Sequence, residues 1–154
     1  MNRYTATLAT IAALALATTA QAGPYRFSPG KGDITITGGF VYTVIGSGEI
    51  SHCPFTFVGH AMNANTTLKI TSATVCHKMT ASGLPWMLSA ASRNAAGGPA
   101  VISVNGTTCS TSNLSFSLQH HMLHWHGSFG AEPCALELGP ATATPDLSIR
   151  DTAN

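Results

Sequence analysis

Charge is what this sequence has least of. Asp, Glu, Lys and Arg make up 8% of its 154 residues, where a typical globular chain devotes about a quarter to them. A nucleic-acid partner would need a basic surface able to displace counterions from phosphates, and no such cluster is present. Signs of bond-making chemistry are missing too. No G-x-S-x-G elbow offers a nucleophile, and the six carboxylates are scattered through loop-like stretches. No cysteine spacing is C-x-x-C, which leaves a zinc ribbon or thioredoxin-type site without support. These absences predict a protein that is not an enzyme and needs no cofactor. The apolar run near the N-terminus falls short of the roughly 20 residues of a membrane-spanning helix, and no amphipathic helical period follows it.

The first 22 residues, MNRYTATLATIAALALATTAQA, read as a secretory signal. Arg3 supplies the positive start, LATIAALALA the apolar run, and Ala20-Gln21-Ala22 the cleavage site. Cleavage before Gly23 leaves 154 − 22 = 132 residues, the length of one domain. That domain is expected over 23–140, followed at 141–154 by a partly ordered Ala-, Thr- and Pro-rich tail in which Leu147 and Ile149 suit a short strand. Export through the Sec pathway implies an extracellular or cell-surface location. Removing Arg3 leaves six basic residues against six acidic ones, so little self-repulsion opposes association between copies.

Past the signal, short β-branched and aromatic runs alternate with Gly, Pro, Asn and Ser, as strands do in a sandwich or barrel. Candidate strands are 33–46 with a break at Gly38-Gly39, 53–59, 67–75, 86–92, 100–106, 113–119, 123–129 and 134–139. The expected fold is all-β, a small disulfide-stapled β-sandwich, immunoglobulin-like or similar. Cys53, Cys76, Cys109 and Cys134 read as two disulfides in an oxidising compartment, with three pairings open. Residues facing each other across a hairpin keep a constant sum of positions. Cys53 with Cys76 (53 + 76 = 129) centres a turn between Ala64 and Asn65, and Cys109 with Cys134 (109 + 134 = 243) centres one between His121 and Met122. Sequential pairing is therefore preferred, with nested and crossed pairs still open.

Four of the seven histidines fall within QHHMLHWHG, residues 119–127. A hairpin with the sum 243 puts Leu114, Phe116 and Leu118 on one face with Leu123, Trp125 and Phe129, and turns His124 and His126 outward opposite Gln119 and Ser117. It also leaves Cys109 and Cys134 on the polar side unless a bulge intervenes. Two readings stand. The imidazoles form the solvated face of a hairpin, or His120, His121, His124 and His126 bind a metal, for which a His-rich tract is a weak signal. No carboxylate lies nearer than Glu132, so ring orientation at such a site would fall to backbone carbonyls or Gln119. His52 and His77, beside Cys53 and Cys76, read as exposed flanks of a bridge.

Ile70-Thr71-Ser72-Ala73-Thr74-Val75, the Cys that follows, and Gly83-Leu84-Pro85-Trp86 leading into Met87-Leu88-Ser89-Ala90-Ala91-Ser92 resemble the PraB-type alkane-oxidation protein activator family. Cys53-Pro54-Phe55-Thr56-Phe57-Val58-Gly59 and the late Cys134 agree in kind, so the resemblance spans roughly residues 33–140. It implies a small secreted bacterial protein, all-β and without catalytic residues, associated with the cell surface, biofilm and hydrophobic substrates such as long alkanes. It implies nothing about the histidines. Within GLPW, Pro85 holds Leu84 extended. Trp86 then enters a strand as a core residue, or joins Leu84 in an exposed apolar contact patch.

The function expected is that of a non-enzymatic surface-associated protein working by adhesion, by self-assembly or by contact with hydrophobic substrates. Its partners would be further copies, other cell-surface components or hydrophobic small molecules, with no nucleic acid and no membrane span. Unpaired edge strands, guarded by few charges, are the expected physical route to assembly. The alternative is a secreted histidine-rich metal-binding protein or metalloenzyme.

Overall fold

A computed structural model of the chain describes residues 24–43, 50–76, 79–104, 106–126 and 136–152. The expected signal segment, His77, Phe129 and Cys134 lie outside these. In chain order the strands are β1 (Tyr25–Ser28), β2 (Asp33–Thr43), β3 (Ile50–Met62), β4 (Thr67–Val75), β5 (Met79–Ser82), β6 (Trp86–Ala91) and β7 (Asn94–Gly97). They continue with β8 (Ala100–Val104), β9 (Thr107–Thr111), β10 (Leu114–Gln119), β11 (Met122–His126), β12 (Leu136–Thr144) and β13 (Ser148–Asp151). The all-β, disulfide-stapled class read from the sequence is the class observed. Its main sheet closes on itself: β2, β3, β4, β6, β7, β10, β11 and β12 form an antiparallel barrel, with β12 returning to pair with β2. Each barrel strand pairs with the next barrel strand along the chain, the up-and-down topology, with β5 and the β8–β9 pair leaving the barrel as excursions. The two facing layers expected of an immunoglobulin-like sandwich are thus opposite walls of one barrel.

Alternation along the strands sets what lies inside. Ile34, Ile36 and Phe40 on β2, Phe55 and Phe57 on β3, Leu68 and Ile70 on β4, Trp86 and Leu88 on β6, Leu114 and Phe116 on β10, and Leu123 and Trp125 on β11 are all buried. The rings pack as one column. Phe57 stacks on Phe55 with centroids 4.4 Å apart and takes Trp86 edge-on at 5.4 Å, while Phe116 meets Trp125 at 5.1 Å. Each such pair adds about 0.5–1.5 kcal/mol beyond the area it buries. Most outward positions are small or polar, among them Thr37, Thr74, Ser89, Ala96 and Thr142, and Met122 is a large apolar side chain exposed on that wall. Apolar inside and polar outside is the reverse of a transmembrane barrel, whose outer band faces lipid. Among the described residues no helix is long and apolar enough to cross a membrane.

Two glycines are required by this packing. The break expected at Gly38-Gly39 does not occur, because β2 pairs with β3 continuously through both. A Cβ on Gly38 would lie 2.7 Å from the Phe55 ring, so the glycine makes room for an aromatic in the barrel and does not end the strand. Opposite it, the β12 register slips between Leu138 and Ala141, a bulge at Gly139-Pro140. At Gly97 a Cβ would stand 1.7 Å from the Met87 carbonyl oxygen. Only a glycine lets β7 lie so close to β6 at that level.

Both ends of the barrel are covered. The turns at 63–66, 92–93 and 120–121 share one end with the β1–β13 ribbon. There the Phe27 N–H donates to the Asn65 carbonyl at 2.7 Å, and Phe27 and Leu147 are buried. The stretch past Pro140, expected to be loose, continues β12 to Thr144, and Leu147 and Ile149 flank and join β13 as anticipated. At the other end, β5, β8 and β9 form a separate sheet that buries Met79, Ala100, Ile102 and Cys109.

The Cys53–Cys76 bridge is present, with Cα atoms 5.6 Å apart. The β3–β4 hairpin keeps the expected sum of 129 from Met62↔Thr67 to Gly59↔Ile70 and then shifts to 130, with Thr71 as the extra residue of a bulge. Cys109 is disulfide-bonded as well; Cys134 is outside the described residues. Strands β1, β5, β7 and β9, each of four or five residues, were not expected from the pattern.

Because Phe57 touches Phe40, Phe55, Trp86 and Trp125, truncating it leaves a hole that the surrounding strands cannot close. Phe57→Ala is expected to lower the unfolding free energy by about 3–5 kcal/mol, read by chemical denaturation. A loss under about 1 kcal/mol would mean that the ring column does not carry the core.

Candidate functional site

The histidine hairpin forms, two residues out of the expected register. Gln119 pairs with Met122, Leu118 with Leu123, Phe116 with Trp125 and Ser115 with His126, so the constant sum is 241 and the turn is centred between His120 and His121. Both turn residues have positive φ, 49° and 66°, which is the two-residue type I′ turn whose twist matches the strands it joins. Histidine is one of the few non-glycine residues enriched in that region. The expected sum came from extending the ladder to Cys109, and the structure breaks that assumption. Cys109 lies on β9, which pairs with β8 in a different sheet. A shift of two preserves face parity, so Leu114, Phe116, Leu123 and Trp125 still point inward.

The four imidazoles are divided between one outer face and the hairpin tip. His120 and His121 are exposed at the turn, while His124 and His126 project from the outer wall of β11. His124 faces Ser117 and His126 faces Ser115, not Gln119 and Ser117 as expected. His126 nevertheless reaches diagonally to Ser117, Nε2 to Oγ 2.8 Å, which helps bury that serine on an outer wall. Nδ1 of His121 pairs with the Asp146 carboxylate on the segment between β12 and β13, tying the turn to the ribbon over the barrel end. Among the described residues no three His, Cys, Asp or Glu side chains come together as metal ligands would.

Around this turn the surface is hollowed on both sides of a rim. On the outer wall, Arg93, Asn94, Ser117, Leu118, Gln119 and His120 line a hollow of about 470 Å3. Toward the barrel end, Arg93, Leu118 and His120 border a second, of about 290 Å3, with His121, Leu147, Ser148 and Ile149. Arg93 occupies the two-residue β6–β7 turn, where Ala91 faces Asn94, and its carbonyl accepts the Leu118 N–H at 3.0 Å. That bond aligns the β6–β7 and β10–β11 turns side by side. Both hollows mix polar and apolar lining, and Leu147 and Ile149 bring aliphatic side chains to the inner one.

The exposed patch of Leu84 and Trp86 does not form. Trp86 is fully buried, its Nε1–H donating to the Ser82 carbonyl at 2.9 Å, so the core reading of GLPW holds. Leu84 is half-buried against the core. His52 is exposed beside the Cys53–Cys76 bridge. Arg93, Asn94 and Ser148 were missed from the sequence, because a short alanine-rich run such as Asn94–Gly97 carries no strand signature. Only the Ser92-Arg93 turn position between two strands could have pointed to them.

A family model described as alkane oxidation protein activator PraA/PraB-like matches residues 1–150 of the chain. Neither a curated protein nor a solved structure matches it.

The geometry makes two expectations measurable. Protein purified without an affinity tag should hold well under one equivalent of Zn, Cu or Ni by elemental analysis, and a stoichiometric metal lost in His124→Ala would establish the site that the described arrangement does not provide. The His121 and Asp146 side chains are 82% and 54% exposed, so their pairing is screened by solvent. Asp146→Asn should change stability by less than about 1 kcal/mol in denaturant unfolding.

Proposed function

The chain belongs to the PraA/PraB-like family of alkane oxidation protein activators, and from that membership we propose that it is an exported, non-enzymatic protein that assists alkane use by contact with hydrophobic material at the cell exterior. The observation that carries this reading is the closed barrel with an interior filled by its own rings. Eight-stranded barrels either fill their interior with side chains or hold one small ligand there. Here Phe40, Phe57, Phe116 and Trp86 are fully buried inside it among aliphatic neighbours, which favours contact with an apolar substrate at the ends and outer wall. A disulfide between Cys53 and Cys76 fits an oxidising, extracellular setting.

Closure also weighs among the modes of action. A barrel has no free edges in its main sheet, so fibre growth by strand addition would be confined to the small covering sheets. Adsorption to apolar material is therefore favoured over strand-paired fibres. A surface with few charges lowers the cost of desolvating the wall at such an interface.

The test is adsorption to hexadecane droplets in buffer. The purified protein should lower the interfacial tension and deplete from the aqueous phase at micromolar concentration, without binding amyloid dyes. No depletion from water at high micromolar concentration would overturn the proposal, and so would turnover of an alkane by the protein alone.

A further inference from the structure

We propose that the rim formed by Arg93 and His120 is a binding site for an aliphatic carboxylate, with its head in the outer hollow and its chain over the barrel end. This goes beyond the function proposed above and does not rest on it, because a ligand site at the rim and adsorption of the whole molecule to oil fail independently.

Three observations converge there. The first is charge. Arg93 is exposed, and no carboxylate pairs with its guanidinium among the described residues. The acid of this region, Asp146, is held by His121 on the far side of the turn. A guanidinium presents a planar fork of donors suited to both oxygens of a carboxylate. The second is the company it keeps. Asn94 and Gln119 line the same hollow and supply neutral amide donors, while the Ser117 hydroxyl is engaged by His126. A carboxylate placed there meets donors and no like charge.

The third is that the two hollows share one rim and differ in the residues beyond it, amides on the outer side and two aliphatic side chains on the inner. Arg93, Leu118 and His120 line both hollows, so a molecule crossing the rim remains in contact with the same three residues. Beyond them, Leu147 and Ile149 offer an aliphatic floor, where an alkyl chain is removed from water at roughly 0.8 kcal/mol per buried CH₂. Asp146 stands on that side, next to His121, and disfavours the reverse orientation with the carboxylate inward. The outer hollow, about 470 Å3, falls within the 300–1,000 Å3 or so common for small-molecule sites. A head that needs donors and a tail that needs carbon, joined end to end, describe an alkanoate; an alkane lacks the first and a short-chain acid the second.

The probe is dodecanoate below its micellar concentration, titrated into uniformly ¹⁵N-labelled protein recovered after expression of the full chain. Saturable shifts are expected at residues 93–94, 117–120 and 147–149. Dodecanol and butanoate should each bind at least tenfold more weakly. Arg93→Gln should weaken dodecanoate about tenfold while leaving Tm and dodecanol binding unchanged, since Arg93 is at an exposed turn. Should that variant misfold, His120→Asn, which keeps a residue tolerant of positive φ, is expected to weaken dodecanoate severalfold without loss of fold. Equal binding of dodecanol and dodecanoate would overturn the proposal. Shifts centred elsewhere, or unchanged affinity in a folded variant, would overturn it too.

Discussion

Closing eight strands into a barrel fixes the width of the interior, and everything inside must fill that width. In this protein the filling is aromatic. Phe57 lies where Phe40, Phe55, Trp86 and Trp125 all reach it, so rings from β2, β3, β6 and β11 lean on one side chain. The glycines follow from this constraint. Gly38 gives up its side chain so that the Phe55 ring can lie against β2, and Gly97 gives up its own so that β6 and β7 can approach. The covering sheets follow as well. A column of rings open at its ends would expose apolar surface to water, and the β1–β13 ribbon and the β5–β8–β9 sheet remove it with Phe27 and Leu147 at one end and Met79 and Ile102 at the other. One polar group is left over: the Trp125 Nε1–H, inside the wall, has no hydrogen-bond partner among the described residues. Phe55, Phe57 and Phe116 pack against the same indole, and ring contacts of that kind offset only part of the cost of burying a donor.

What could be read from the sequence was whatever the period of two controls. Strands β2, β3, β4, β10 and β11 were found because inward apolar side chains alternate with outward polar ones over at least five residues. The β3–β4 hairpin and its Cys53–Cys76 bridge were placed because the cysteine sum centred a turn between Ala64 and Asn65, inside the 63–66 turn that the chain forms. The same arithmetic failed for β10–β11 because it assumed a single ladder running back to Cys109. Nothing in the sequence says that the chain changes sheet between Thr111 and Leu114. Parity survived because the slip was an even number of residues, so the faces of Trp125 and the outer histidines were right while their partners were wrong. Short strands such as Asn94–Gly97 are held by their neighbours' hydrogen bonds and by close backbone approach, neither of which leaves a mark in composition.

Closure itself was invisible for a related reason. The pairing of β12 with β2 joins the last long strand to the first, across about a hundred residues of chain, and local patterning is the same whether such strands end as sandwich edges or meet. The distinction changes the functional argument. An open sandwich with so few charges would present long, unguarded edges and would be expected to assemble through them. The closed barrel has used those hydrogen-bonding groups on itself, and the same low charge then bears on how easily the outer wall gives up water.

The histidine cluster changes meaning in the same way. In a flat reading, four imidazoles within nine residues suggest a common ligand. On the folded hairpin, two of them take up the positive-φ corner of a type I′ turn and two stand on an outer wall, one bonded to a buried serine. Ligation would require rings at the tip and on the wall to converge, and among the described residues no three such side chains do. What the turn does build is a rim. By setting His120 beside Arg93 over the same Leu118, it places Leu147 and Ile149 of the barrel's end next to two amides and a cationic side chain that no carboxylate pairs with among the described residues. Polar and apolar recognition meet there because the closing of the barrel forces its inward and outward faces to a common edge, and Leu118, half-buried and inward-facing at the last level before the turn, is where the two faces join.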